Sequence, residues 1–305
     1  MKIAFIGGVK YSHELLSTIL KNGWNVSLVF SYDESKKIFY SDIVSFDNLT
    51  KSNGIKHIKV MNINDPDNIK ILEKVKPDLI LVMGWSQLLK KEIIKIPPLG
   101  VIGSHPTELP KYRGRAPIPW TILKGLKQSA LTFFYIDEGV DDGDIIDQRH
   151  FIISNNDDAS SLYKKMTSLG KKMLLENLPL IENKIVVRKK QDTSKFIEAW
   201  SKRTKEDGKI NWNDSSIEIH KLIRATTHPY PGAYTYFKNK ELIIWKSNYI
   251  DDSICEPGVI KEICDEFIIV GTGCGRIKIL EVTYDNKNDL SKIFLDDDIG
   301  TQLIS

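Results

Sequence analysis

The sequence predicts an α/β protein: a mostly parallel sheet with helices on both faces, followed by a small β-barrel. Three observations carry this. Short, wholly apolar runs recur through the first half of the chain, as in strands buried on both faces. Helical periodicities separate them at the spacing of strand–helix–strand units. After about residue 205 the pattern changes to short strands divided by glycine and proline turns, which suits a barrel. With 305 residues the chain exceeds what a single core comfortably fills. The expected division is a first domain over 1–183, a linker over 184–204 and a second domain over 205–305.

The elements follow in order. Residues 2–6 form an apolar strand closed by Gly7 and Gly8. Leu15, Leu16, Ile19 and Leu20 fall on one side of a helix over 12–22. Strands are expected at 25–30, 57–60, 78–83 and 99–102. The helix over 66–75 has Asp65 as its N-cap and Pro66 at its first position, with Pro77 as the stop. Residues 131–137 and 145–153 are again strand-like. A long helix over 160–178 carries Leu162, Met166, Leu169, Met173 and Leu174 as a core stripe. In the second domain, Ser215 and Glu218 form a capping-box pattern before a helix reaching Arg224. Five strands are expected there, at 234–237, 242–245, 259–263, 267–270 and 277–282.

Composition removes several classes of function. The 43 basic and 40 acidic residues nearly cancel, which argues against an obligatory nucleic-acid partner. Cys255, Cys264 and Cys274 include no C-x-x-C pair, so they make neither a zinc site nor a disulfide framework. Free thiols suit a reducing compartment. The N-terminus lacks the apolar run of a signal peptide, and no stretch approaches the ~20 apolar residues of a membrane helix. A cytoplasmic location without membrane contact is expected. The turn after the first strand, FIGGVKYS, lacks G-x-G-x-x-G spacing, which argues against a dinucleotide.

Two stretches carry chemistry. GVIGSHPTELPKYRGRAPIPW, residues 100–120, holds four prolines and cannot be a helix. Its His105 is expected just past the end of the fifth strand, where open α/β sheets place ligands. A histidine there suits proton transfer near neutral pH. DEGVDDGD, residues 137–144, puts five carboxylates into eight residues but lacks the ligand spacing of a calcium loop. Arg113 and Arg115 fit an anionic substrate through bidentate pairing, or else a salt bridge to the acidic turn.

Together, HPTELPKYRGRAPIPW and DEGVDDGDI resemble the formyltransferases that use N10-formyltetrahydrofolate. KEDGKINWNDSSIEIHKLIRATTHPYPGAYTYFKNKELIIWKS resembles the C-terminal barrel of the same family. The resemblance covers most of the chain. It implies a Rossmann-like catalytic domain, an OB-like barrel, no metal, and His105 and Asp141 as catalytic histidine and aspartate. It implies a folate pocket built from Met83, Gly84, Trp85 and Leu88 with Ile136, Glu138 and Gly139. Trp85 and Leu88 fit an apolar slot or an ordinary core equally well. Substrate contacts are expected from Ser104, Thr107, Arg113 and Arg115. The chain departs from the family pattern at one position: Gly103 stands where an asparagine is expected two residues before the histidine. An oxyanion donor is then missing unless Thr107, a backbone amide or water supplies it.

Two amines compete as acceptors. Initiator-tRNA formyltransferases would need a basic insertion after the second strand. Here that place, Ser31 to Asp42, mixes charges and contains no arginine. The compact KYRGRAP form looks more like the branch that formylates nucleotide-linked amino sugars, of the 4-amino-4,6-dideoxyhexose type, for surface polysaccharides. That acceptor is expected, with methionyl-tRNA as the alternative and folate or nucleotide-sugar binding without transfer as a third reading. The sequence leaves the oligomeric state open, a homodimer included.

Overall fold

The computed structural model describes residues 1–33, 35 and 42–305. β1 (Lys2–Ile6) is buried throughout Ile3–Ile6, as its apolar run requires. α1 (Lys10–Lys21) starts two residues earlier than expected and turns Tyr11, Ser12, Leu15, Leu16 and Ile19 inward. β2 (Asn25–Tyr32), α2 (Asp47–Ser52), β3 (Lys56–Val60), α3 (Pro66–Val75) and β4 (Leu79–Val82) follow. Asp65 is the N-cap residue of α3, but its carboxylate makes no capping bond; its charge still favours the positive helix end. After α4 (Lys91–Ile94) comes β5, which runs Val101–His105. His105 is therefore the last residue of the strand and not the first of a loop.

β6 (Tyr112–Gly114) and α5 (Pro117–Leu123) lead to β7 (Gln128–Tyr135) and β8 (Ile145–Ile152). The large sheet has the order β3-β2-β1-β4-β5-β7-β8. It is parallel from β3 to β5, and β7 and β8 then join antiparallel. α6 (Ala159–Glu182) buries Leu162, Met166, Met173 and Leu174 of the expected stripe, while Leu169 is only half-buried. The segment expected as a linker carries β9 (Glu198–Trp200), which pairs with β6 in a two-stranded parallel ladder.

The chain divides into two units. One comprises residues 1–117, 127–153 and 163–201; the other comprises 118–126, 154–162 and 202–305. Most of the expected linker thus belongs to the first unit, and two short pieces of the expected first domain belong to the second.

The second unit is built on α7 (Ser216–Thr226) and an antiparallel sheet. Its strands are β10 (Ala233–Phe237), β11 (Lys240–Asp251), β12 (Ile260–Cys264), β13 (Phe267–Gly271) and β14 (Arg276–Tyr284), in the order β10-β11-β14-β13-β12. The Ser215 hydroxyl accepts the Glu218 amide at 3.3 Å, as the capping pattern predicts. β11 is twelve residues long where four were expected. Register shifts at Ile244/Lys246, Lys246/Ser247 and Tyr249/Asp251 break its alternation and hide its second half from pattern reading. Past α8 (Leu290–Ile293), residues 300–304 bond to both edge strands. Ile304 exchanges backbone hydrogen bonds with Tyr236, Thr301 accepts the Ile260 amide and Gly300 donates to the Ile260 carbonyl. This seam closes the barrel, meeting the edge strands at Tyr236 and at Ile260. Among the described residues, no helix is long and apolar enough to cross a membrane.

Candidate active site

β5 delivers His105 to the end of the parallel half of the sheet, where its antiparallel neighbour β7 begins to cross back; His105 pairs with Thr132. The residue is 6 % exposed. Its Nε2 lies 3.1 Å from the Tyr112 carbonyl oxygen. A carbonyl can only accept, so Nε2 carries the proton there and the neutral ring keeps its lone pair on Nδ1. Nδ1 faces Asp141, whose Oδ2 is 3.7 Å away. That separation is too long for a hydrogen bond and close enough for strong charge interaction.

Asp141 sits in the turn between β7 and β8 at φ +49, a left-handed conformation uncommon for residues other than glycine. Its Oδ2 also accepts the backbone amide of Gly114 at 2.9 Å. Gly114 itself has φ +104, and a Cβ there would lie 2.3 Å from the Trp200 carbonyl oxygen, so the β6–β9 ladder admits only glycine. Tyr112 stacks on Trp200 with ring centroids 4.7 Å apart. Gln191 donates from Nε2 to the Asp141 and Gly143 carbonyls, both at 2.8 Å, and accepts from Arg113 Nη2 at 2.8 Å. Tyr112, Gly114 and Gln191 are neighbours of the His105–Asp141 pair that sequence reasoning missed. The pairing of Tyr112–Gly114 with Glu198–Trp200 and the reach of Gln191 are long-range facts without a periodic signal.

The expected substrate residues separate. Thr107 is fully buried; its hydroxyl donates to the Tyr112 carbonyl and its own carbonyl accepts from Thr132. It therefore braces the loop and is not free to meet an oxyanion, contrary to its expected role. Ser104, alternating with His105 on β5, is half-buried and faces Tyr11, whose phenol burial holds well above its ordinary range. Arg113 is half-buried and committed to Gln191, with its guanidinium 5.9 Å from the Phe196 ring. Arg115 is exposed, donates weakly to the Ser86 carbonyl at 3.3 Å, and is the arginine available to an anion. Gly103 lies against Ile136: a Cβ at 103 would meet its side chain at 3.0 Å and Phe134 at 3.4 Å. Ile136 thus crowds the place where a larger side chain at 103 would begin.

The residues expected to hold folate form two adjoining loops. Met83 is fully buried, and Gly84 turns the chain at φ +59. Trp85 stacks on Tyr32 at 3.8 Å; Trp85 and Ile136 pack on the same core cluster. The Trp85 Nε1 is buried without a hydrogen-bond partner among the described residues. Lys91 ties the loops together through Glu138 at 2.7 Å, and Gly139 is covered by the Asp142 carboxylate. Leu88 and Val140 remain exposed, at 62 % and 47 %. Exposed apolar side chains on both loops, and in one of them an indole N–H without a partner among the described residues, are compatible with a flat heterocycle. Among the described residues no group of three or more His, Cys, Asp or Glu side chains is placed to hold a metal ion, and the three cysteines are free.

A buried histidine facing a half-buried carboxylate, at the carboxyl end of the parallel strands of a Rossmann-like sheet, is an arrangement that suits proton transfer. The family model described as formyl transferase matches residues 1–178, and that of the formyl transferase C-terminal domain matches residues 202–292. The chain belongs to the formyltransferase family. It is 31% identical to the methionyl-tRNA formyltransferase of Ruminiclostridium cellulolyticum over 94% of this chain and 93% of that protein. It is 35% identical to the bifunctional polymyxin resistance protein ArnA of Wigglesworthia glossinidia brevipalpis over 91% of this chain and 42% of that protein. Among solved structures, the sugar 3N-formyl transferase WlaRD, crystallised in the presence of dTDP and 5-N-formyl-THF, matches with a TM-score of 0.67 and 25% identity. That match covers 94% of this chain and 98% of WlaRD.

Proposed function

We propose that the chain moves the formyl group of N10-formyltetrahydrofolate to the amine of a nucleotide-linked amino sugar, of the 4-amino-4,6-dideoxyhexose type. The folate supplies the one-carbon unit. The loops of Met83–Leu88 and Ile136–Gly139 hold it. Arg115 meets an anionic group of the acceptor. His105 takes the proton of the attacking amine on Nδ1 as the new C–N bond forms, and Asp141 stabilises the charged ring that results. The same proton returns to the folate nitrogen as the old C–N bond breaks, so the step is balanced without an outside acid. With glycine at 103 and Thr107 committed elsewhere, the charge growing on the formyl oxygen is met by backbone donors or water. We assign this chemistry to residues 1–183 and the barrel fold to 205–305.

The observation that carries the choice of amine is the segment following β2. Ser31 to Asp42 holds Lys36 and Lys37 against Asp33, Glu34 and Asp42, with no arginine. RNA affinity comes mainly from neutralising phosphates, and this composition has more acidic than basic residues. Residues 34 and 36–41 lie outside the described residues, so the argument rests on composition. Methionyl-tRNA is the second reading. It is favoured by the near full-length match to the R. cellulolyticum protein of that name.

The test is direct. The purified chain is incubated with N10-formyltetrahydrofolate and a panel of UDP-, GDP- and dTDP-linked amino sugars, or with initiator methionyl-tRNA, and each acceptor is weighed by mass spectrometry. A formyl group gained by a sugar nucleotide supports the proposal. Formylation of the tRNA alone overturns it.

A further inference from the structure

We infer that Gln191 is the positioning residue that sets the Asp141 carboxylate for the reaction. The inference rests on the reading of His105 and Asp141 as the reacting pair. Three hydrogen bonds meet at this one side chain, which belongs to a segment that sequence pattern presents as a linker.

The segment is not loose at this point. Lys189 and Ile145 exchange backbone hydrogen bonds, each 2.8 Å long, in an isolated antiparallel bridge at the start of β8. Two residues on, Gln191 is carried over the turn that precedes β8. There its amide spends both N–H donors on the turn, one on the Asp141 carbonyl and one on the Gly143 carbonyl. Two carbonyls two residues apart converge on one nitrogen only when the residues between them are folded back. The Asp141 backbone at φ +49 is such a conformation, and it aims the carboxylate at His105 and the Gly114 amide.

The other end of the amide closes a ring of contacts. Its oxygen accepts from Arg113, and the residue after Arg113 is Gly114, whose amide donates to the Asp141 carboxylate. Gln191 therefore fixes the acidic turn from behind while also fixing the strand that receives its carboxylate in front. Glutamate at 191 would keep the bond to Arg113 but place a charge against two carbonyl oxygens. Methionine would keep the shape and lose all three bonds. The arrangement calls for a neutral amide, with two donors and an acceptor.

Two readouts test this. With N10-formyltetrahydrofolate and a dTDP-linked 4-amino-4,6-dideoxyhexose, Gln191→Met is expected to lower kcat about 10²-fold, the cost of displacing a reacting group by about an ångström. KM is expected to stay within about twofold, because no substrate contact is removed. In an Asp141→Asn background the same substitution is expected to cost no more than about twofold, since the two act through one carboxylate. The second readout needs no turnover. The 15N–1H resonance of Gly114 is expected to move in Gln191→Met toward its position in Asp141→Ala, with Gly271 of the other unit unmoved. A Gly114 signal that shifts in Asp141→Ala and stays put in Gln191→Met overturns the inference. A full rate in Asp141→Ala would instead sink the underlying reading of the site. Additive losses in the double variant would show that Gln191 acts elsewhere.

Discussion

Replacing Asp141 by asparagine removes a charge and little else. The carboxamide oxygen still accepts the Gly114 amide, and Gln191 holds the turn through backbone carbonyls, not through the side chain. What is lost is the interaction of the carboxylate with the imidazolium formed when His105 takes up a proton. Over the 3.7 Å between Nδ1 and Oδ2, two unit charges interact by about 1 kcal/mol at the dielectric of water and about 4 kcal/mol at an effective value near 20. The His105 side chain is 7% exposed and that of Asp141 21%, so the pair belongs nearer the second figure. Converted at about 1.4 kcal/mol per decade, kcat should fall between about fivefold and about 10³-fold. The assay is formylation at saturating concentrations of both substrates, followed by mass, with thermal unfolding of both proteins measured alongside. A variant that unfolds like the wild type and works within twofold of its rate would refute the electrostatic role of Asp141.

Three further outcomes are expected. His105→Ala should lose about 10²–10⁴-fold in kcat, the usual contribution of a positioned general base; retained binding of the formyl donor, followed by tryptophan fluorescence, separates this from loss of fold. Gly103→Asn, which restores the family residue, should not raise the rate by itself and should destabilise the chain by about 1–3 kcal/mol, because Ile136 must yield; adding Ile136→Ala should recover most of that loss in a melting experiment. In the barrel unit, burial and the nearby Arg224 lower the His220 pKa to about 4. The unfolded state therefore binds the extra proton between about pH 6.5 and pH 4, and stability should rise with pH across that window, by about 1–3 kcal/mol in total. His220→Gln, which retains a partner for the Ser247 hydroxyl, should flatten the dependence of the melting temperature on pH there.

Much of this was legible in the sequence because it is local. The α3 helix falls on its expected residues, since proline at its start and the charge before it are signals read without tertiary context. The buried strands β1 and β4 announce themselves as unbroken apolar runs. His105 and Asp141 were found from their motifs, and the fold brings them within 3.7 Å. What escaped was non-local. Thr107 looks like a free hydroxyl in sequence and is consumed by Tyr112, five residues on. Ile136 fills the space beside Gly103 from the residue just past the end of β7. Gln191 sits in a polar, basic stretch with no periodicity, and its contacts to Asp141, Gly143 and Arg113 come from elements far away in sequence.

The seam that closes the barrel has a kinetic consequence. Thr235 and Ile304 meet although 69 residues separate them in sequence, so this closure is among the longest loops the second unit must form. Pairings of such separation are reached late in folding and contribute most to contact order. Before they form, β10 and β12 are unprotected edges. In the native state the seam is the natural place for the barrel to breathe. Amide protons of Ile260 and Ile304 should exchange with solvent well before those of Ile268 and Ile279 at the centre of the sheet, through opening that leaves the rest of the barrel intact.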